Sequence, residues 1–172
     1  MNLSDSVFSD DYFFIVGISA LLTPGLIDEN YSIIDIETTS LSEVRKHIFP
    51  GRKVIVFITN DLDYYALKHM ADFVFIDKKC RLNEILSGLL VKNSQYNYRV
   101  KYSLSRREKE VLSCMQKGLD VKEISRQLGM TMKTFYIHRR SLIFKLQQGN
   151  RISLYQNIVR SELYKQSVYE YG

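Results

Sequence analysis

Three runs of sequence decide the fold of the C-terminal part of this chain: Leu104-Ser-Arg-Arg-Glu-Lys-Glu-Val-Leu112, Gly118-Leu-Asp-Val-Lys-Glu-Ile-Ser-Arg-Gln-Leu-Gly129 and Thr131-Met-Lys-Thr-Phe-Tyr-Ile-His-Arg-Arg140. Apolar residues recur in each run at helical spacing. Gly118 and Gly129 stand where helices end, because glycine readily adopts the left-handed conformation of a helix C-terminus. The pattern predicts three short helices separated by two turns.

Polar residues mark where these helices begin. Ser105 with Glu108, and Asp120 with Glu123, have the spacing of a capping box, in which each side chain accepts a hydrogen bond from the other residue's backbone. Thr131 is a natural N-cap for the third helix. The helix starts are therefore specified locally.

The third helix has two different faces. Phe135, Leu142 and Leu146 recur at spacings of seven and four, which predicts an apolar stripe against the other two helices. The opposite face carries Lys133, Tyr136, Ile137 and Arg140. Two helices followed by a third with an exposed basic face are typical of a helix-turn-helix, whose last helix enters the major groove of DNA.

Each residue of this face suggests a contact. Arg140 can donate hydrogen bonds to guanine O6 and N7, and Ile137 can contact a thymine methyl group. Tyr136 can make either a polar or an apolar contact. Phosphate contacts, which position the protein without reading sequence, are expected nearby. The candidates are Lys133, Thr134, Arg139 and Lys145, together with the helix N-terminus at Thr131.

Charge divides the chain in the same way. Residues 1–100 carry 10 Lys and Arg against 13 Asp and Glu, whereas residues 101–172 carry 14 against 6. A basic module suits a polyanion such as DNA. A basic helix alone could also be a solvated face, or bind RNA or an acidic protein, but the glycine breaks and caps favour a tri-helical DNA reader.

The N-terminal half alternates strands and helices. Strands are predicted at 3–8, 31–36, 53–58 and 73–76, and helices at 12–22, 41–49, 62–70 and 83–92, with Pro24-Gly25 ending the first helix and a capping box of Ser40 and Glu43 starting the second. About four such repeats predict an α/β domain with a parallel sheet. The polar, tyrosine-containing stretch 93–102 is the predicted linker.

Functional groups of parallel α/β sheets gather at the carboxyl ends of the strands. The residues expected there are Asp10, Asp11, Asp35, Thr59 and Lys78.

The C-terminal segment 104–155 is similar to the LuxR/NarL-type helix-turn-helix family. The matching residues are Leu104-Ser105, Arg107-Glu108, Glu110-Val111-Leu112, Gly118, Lys122-Glu123-Ile124, Leu128, Thr134, His138, Lys145-Leu146 and Arg151. The resemblance implies a transcriptional regulator that binds double-stranded DNA as a dimer, with a fourth helix from Ile152 to about Tyr164 supplying a dimer contact. The implied domains are 1–92, receiver-like, and 103–172, four-helix and DNA-binding.

The N-terminal segment resembles a response-regulator receiver domain in Ile33-Ile-Asp35-Ile, Val54-Ile-Val-Phe-Ile-Thr59 and Phe75-Ile-Asp-Lys78. The resemblance implies that an acidic pair, Asp10 and Asp11, holds Mg²⁺ and that Asp35 is the candidate phosphoacceptor. It also implies that the Thr59 hydroxyl senses the phosphoryl group and that Lys78 pairs with it. The spacing from Asp10 to Asp35 is shorter than in that family by about one strand–helix unit. Aligning Gly17 also puts Ser9 where the first acid belongs, and Glu37-Thr-Thr-Ser40 replaces a Met-Pro stretch. A degenerate pocket of helix caps and surface acids is the favoured interpretation.

The sequence therefore predicts a sequence-specific DNA-binding transcriptional regulator. Two alternatives remain: an auxiliary regulator that pairs with a related one as a heterodimer, and a response regulator phosphorylated on Asp35. We expect no enzymatic reaction, cofactor or metal, since no catalytic triad, phosphate-binding glycine loop or zinc-spaced Cys/His cluster occurs. Without a signal peptide pattern or membrane-length apolar run, we expect a cytoplasmic protein, at the nucleoid when bound to DNA, with RNA polymerase a further candidate partner.

Overall fold

A computed structural model describes residues 3–39, 41–90 and 98–158 and divides the chain into two compact units, 1–99 and 100–172. The first unit, which we call the α/β unit, contains β1 (Val7–Phe8), α1 (Tyr12–Leu21), α2 (Pro24–Asn30), β2 (Tyr31–Asp35), α3 (Leu41–Lys46), β3 (Lys53–Ile58), α4 (Asp61–Leu67), β4 (Phe73–Asp77) and α5 (Leu82–Leu90). The second, the helical unit, contains α6 (Arg106–Gln116), α7 (Val121–Leu128), α8 (Met132–Lys145) and a helical segment at 151–158.

The four strands form one parallel sheet in the order β1-β2-β3-β4. Val7 pairs with Ile33, and Ile33 with Ile55. Five of the six residues of β3 are buried, as expected for a strand covered on both faces of a parallel sheet. The predicted parallel α/β architecture is confirmed.

The connection from β1 to β2 differs from the prediction. Pro24 does follow the end of α1, but it also begins α2, because a proline fits the first turn of a helix, where its missing N–H is not needed. Ile27 of α2 is completely buried in the core. Two helices and no strand join β1 to β2 within residues 9–30, so the strand of the predicted missing unit is absent, whereas its helix is present as α2.

Other boundaries moved by a few residues. β1 covers only the last two residues of the predicted strand 3–8, α3 and α4 each end three residues early, and α5 begins at Leu82. Ser40, residues 91–97 and the tail 159–172 lie outside the described residues, so the capping box at Ser40, the first half of the linker and the C-terminal part of the fourth helix are not addressed.

The local signals of the helical unit are confirmed. Both capping boxes form, and Thr131 caps α8 through its side chain. Gly118 and Gly129 have φ values of 76° and 61°. The core is built from Val111, Leu112, Met115, Ile124, Phe135, Leu142, Leu146, Leu154 and Ile158, each buried. Val121 and Leu128 are half-buried at the two ends of α7.

Within residues 3–39, 41–90 and 98–158, no single helix has the length and apolar composition of a membrane span; α1 and α2 reach both only when taken together, and they meet at 96°.

Candidate nucleic-acid interface and sheet-edge pocket

Helix α8 presents the predicted face to solvent. Its opposite face is fixed by Phe135 and Leu142, which have no exposed surface. Tyr136 keeps 42% of its surface exposed and Ile137 keeps 61%. Both side chains are therefore accessible to a ligand on the side of α8 away from the packed residues.

The remaining members of the face are also accessible. Lys133 and Arg140 are exposed, whereas Thr134 and His138 are half-buried. Thr131 accepts a hydrogen bond from the backbone N–H of Thr134 at 3.1 Å. The first turn of α8 is therefore ordered by its cap, while its cationic side chains remain free to meet a ligand.

Arg139 lies on an aromatic pair. Its guanidinium carbon is 4.8 Å from the ring centre of Tyr136 and 5.8 Å from that of Phe135, and the two rings meet edge to face at 5.6 Å. Cation–π contacts of this kind stabilise both partners. Arg139 therefore restrains the Tyr136 ring as well as carrying charge.

Lys145 is held inside the helical unit. Its Nζ donates to Glu108 Oε2 at 2.8 Å and to the Ser103 carbonyl at 3.2 Å. The sequence assigned Lys145 to phosphate contact, which stays a prediction; the structure pairs its ammonium group with a buried carboxylate, so that Lys145 anchors the C-terminal end of α8 on α6.

Glu108 is the buried end of that anchor, with 5% of its surface exposed. Burial alone would raise the pKa of this carboxyl group. Hydrogen bonds from Lys145, the Ser141 hydroxyl and the Ser105 N–H outweigh that effect and lower the pKa to about 2. Glu108 therefore stays ionised and holds two parts of the unit together: the first turn of α6 and α8.

The α/β unit gathers part of the predicted pocket at the carboxyl edge of the sheet. Asp35, which ends β2, has no exposed surface. Its Oδ2 accepts hydrogen bonds from Lys78 Nζ at 2.9 Å and from the Ser9 hydroxyl at 2.8 Å. Its Oδ1 accepts one from the Glu37 N–H at 3.2 Å. Lys78 also donates to Glu37 Oε2 at 2.8 Å. We call Ser9, Asp35, Glu37 and Lys78 the Lys78 cluster.

The other predicted pocket residues lie at its margin or outside it. Asp11 caps α1 and has Oδ2 4.0 Å from Lys78 Nζ. Asp10 contributes its backbone N–H, which donates to the Thr38 hydroxyl at 2.9 Å. Thr59 lies 3.5 Å from a carboxylate oxygen of Asp63, in the first turn of α4. Of these three side chains, that of Asp11 therefore serves as a helix cap.

Sequence reasoning missed three contributors to this edge: Ser9, Glu37 and Thr38. Ser9 and Thr38 join their hydroxyl groups at 3.1 Å across 29 residues of sequence. The signal was present, because these are the positions at which the chain departs from the receiver pattern. At these positions the side chains of the family pattern are replaced by others that make contacts of their own.

Comparison with known proteins identifies the class of the helical unit. Residues 102–158 match the sequence profile of the family described as bacterial regulatory proteins, luxR family. Together with the capped helices and the outward face of α8, the match defines this segment as a luxR-family helix-turn-helix domain.

Individual relatives match over the same domain. The chain is 39% identical over 51 residues to the transcriptional regulatory protein UhpA of Salmonella typhimurium and, separately, to that of Escherichia coli; each match covers 30% of this chain and 26% of the relative. Among solved structures, a chain from the structure of two RcsB dimers bound to two parallel DNAs aligns with a TM-score of 0.52 at 20% identity, covering 93% of this chain and 96% of that one. The chain therefore shares the two-unit fold of RcsB, receiver-like half included.

Proposed function

We propose that this protein is a sequence-specific DNA-binding transcriptional regulator that places α8 in the major groove. The observation that carries the proposal is the outward face of α8, where Tyr136, Ile137 and Arg140 are exposed on a helix whose other side is fully packed. UhpA is named a transcriptional regulatory protein and matches over this domain. The net positive charge of residues 101–172 supplies the attraction for phosphates.

The residues divide into two groups by role. Tyr136, Ile137 and Arg140 read base edges, since they are exposed on α8 and their side chains match the polar and apolar groups of base edges. Lys133, Thr134 and Arg139, with the capped N-terminus at Thr131, hold phosphates and set the register of the helix on the duplex. Arg139 also steadies Tyr136, so its loss affects reading as well as affinity.

The experiment compares two single substitutions on a DNA site selected from a random library. Arg140→Ala weakens binding to the selected site by about 1–3 kcal/mol and relaxes the preference at one position, because a bidentate base contact is lost. Lys133→Ala is the matched control: it weakens binding to selected and random DNA alike and reduces the salt dependence. Equal losses on both DNAs for Arg140→Ala would contradict a reading role.

A dimer is the second part of the proposal. RcsB is described as dimers bound to DNA, and the helical segment 151–158 buries Leu154 and Ile158 while Ile152 stays 61% exposed. Sedimentation with and without the selected site measures the assembly: a homodimer on a two-fold symmetric site supports the proposal. A monomer that binds only after a related regulator is added would favour the heterodimer. RNA polymerase and a cytoplasmic, nucleoid-bound location remain predictions.

A further inference from the structure

The sheet-edge pocket is built around an ammonium group where the receiver resemblance implies a divalent cation. Mg²⁺ requires a near-octahedral set of oxygen ligands, usually with carboxylates among them. The two oxygens of Asp35 already accept three hydrogen bonds, from Ser9, Lys78 and the Glu37 N–H. A carboxylate offers about four acceptor positions, so little of Asp35 remains for a metal.

The neighbouring groups do not restore such a site. One oxygen of Asp11 accepts the N–H groups of Phe13 and Phe14 at 3.0 and 3.3 Å as the cap of α1. Ser9, at the end of β1, offers a neutral hydroxyl that donates to Asp35. Among the described residues, no three His, Cys, Asp or Glu side chains are grouped to hold a metal ion. The residues present do not fit Mg²⁺.

Lys78 supplies the positive charge instead. Its Nζ lies 2.8 Å from Glu37 and 2.9 Å from Asp35, and 5.2 Å from the ring centre of Phe14. Partial burial alone would lower the pKa of Lys78, but hydrogen bonds to Glu37 and Asp35 outweigh it and raise the pKa. The ammonium group is therefore charged and held between β2, from which Asp35 comes, and the end of β4.

We propose that the Lys78 cluster is a permanent internal lock, by which we mean an ion-pair network that ties β2 to the end of β4 and takes the place of the metal-dependent phosphoryl site. DNA binding by this chain is then independent of phosphoryl donors. The transfer of a phosphoryl group to Asp35 would require a carboxylate oxygen open to the donor, and cations to neutralise the transferred charge. Asp35 is completely buried, and Lys78 is already shared with Glu37. The part of this inference that concerns DNA rests on the proposed function.

The first test treats the full-length chain with acetyl phosphate and Mg²⁺ and measures intact mass and affinity for the selected DNA site. We expect no phosphoryl mass increment and a dissociation constant within about twofold of the untreated value. A phosphorylatable response regulator treated in parallel verifies the donor. A mass increment that Asp35→Asn abolishes would overturn the proposal, and so would a donor-dependent gain in affinity.

The second test measures thermal melting of Asp35→Asn, Lys78→Met and the double variant. A lock predicts that Lys78→Met lowers the melting temperature, because it leaves a buried carboxylate without its cation, and that adding Asp35→Asn recovers part of the loss. If Asp35 served only to accept a phosphoryl group, the Asp35→Asn variant would be as stable as the parent, and that result would overturn the lock.

A milder variant covers the case in which Lys78→Met fails to fold. Glu37→Gln keeps the Asp35–Lys78 contact and removes only the second carboxylate, so we expect a smaller fall in melting temperature than for Asp35→Asn. An equal or larger fall would overturn the central place of the Asp35–Lys78 pair. The mass and melting measurements need no DNA, so a chain that binds no DNA would refute the proposed function and leave this inference to be decided by these results.

Discussion

Asp35 with Lys78 in the α/β unit, and Glu108 with Lys145 in the helical unit, make the same contact: a buried carboxylate oxygen lies 2.9 or 2.8 Å from an ammonium group. Their surroundings differ. Glu108 also closes a capping box at the start of α6, so it belongs to a helix terminus whose free N–H groups favour an anion. Asp35 receives its partners from the ends of three strands, which only the folded sheet brings together.

The two ion pairs therefore have different roles. The Glu108–Lys145 pair joins α6 to α8 and leaves the outward face of α8 free for a ligand. The Lys78 cluster fills the position at which a receiver domain would act, and so leaves no free carboxylate oxygen facing solvent at Asp35. One kind of ion pair therefore supports a binding surface in one unit and closes a pocket in the other.

The largest expected effect comes from breaking the anchor. Lys145→Met leaves Glu108 buried without its cation, and we expect the free energy of unfolding to fall by about 3–5 kcal/mol, the usual cost of removing one partner of a buried ion pair. Urea denaturation of the full chain measures the loss. Arg106→Ala, which removes an exposed partner of Glu110, is the control and leaves the midpoint unchanged. A Lys145→Met midpoint equal to the parent's would show that this ammonium group is free for phosphate after all.

Acid sharpens the same comparison. The pKa of Glu108 is about 2 in the folded chain, against an ordinary value of 4.5 for a glutamate. A carboxyl group whose pKa is depressed by folding contributes stability above its unfolded pKa and loses it as pH falls through the folded value. About 3 kcal/mol is therefore lost between roughly pH 4.5 and pH 2. Thermal melting as a function of pH measures this slope, which Lys145→Met should reduce; an unchanged slope in the variant would assign the acid sensitivity to another group.

The smallest effect concerns the cap that distinguishes Glu108 from Asp35. Ser105→Ala removes the side-chain acceptor for the Glu108 N–H, and we expect a loss of about 1 kcal/mol, typical of an N-cap. Chemical denaturation beside Ser105→Asp, which keeps an acceptor, measures it. If both variants lose the same amount, the cap contributes little and the pair with Lys145 alone holds Glu108.

The two units also differ in how far the sequence predicted them. In the helical unit the predictive signals are local: a cap and its partner lie three residues apart, and a glycine specifies its own φ. The two capping boxes and the left-handed glycines were accordingly confirmed as predicted. The ion pair of Lys145 was not predicted, because nothing within a few residues of it reveals a buried carboxylate 37 positions earlier in the chain.

In the α/β unit the strands were predicted from their apolar runs, but the pocket was not. Asp35 and Lys78 were named as candidates, yet Glu37 and Ser9 were seen only as departures from a family pattern. Helix α2 was missed because Pro24-Gly25 reads as a terminator, although proline is equally suited to a first turn.

In the helical unit the sequence by itself determined the element types, the helix starts and ends, and the basic, outward-facing residues of α8, since these depend on periodicity and on contacts within one turn. Only the tertiary structure decided which charged groups meet. Asp35 and Lys78 are 43 residues apart, and their pairing depends on the parallel order of β2, β3 and β4, which brings distant strand ends to one edge and removes water from between their side chains.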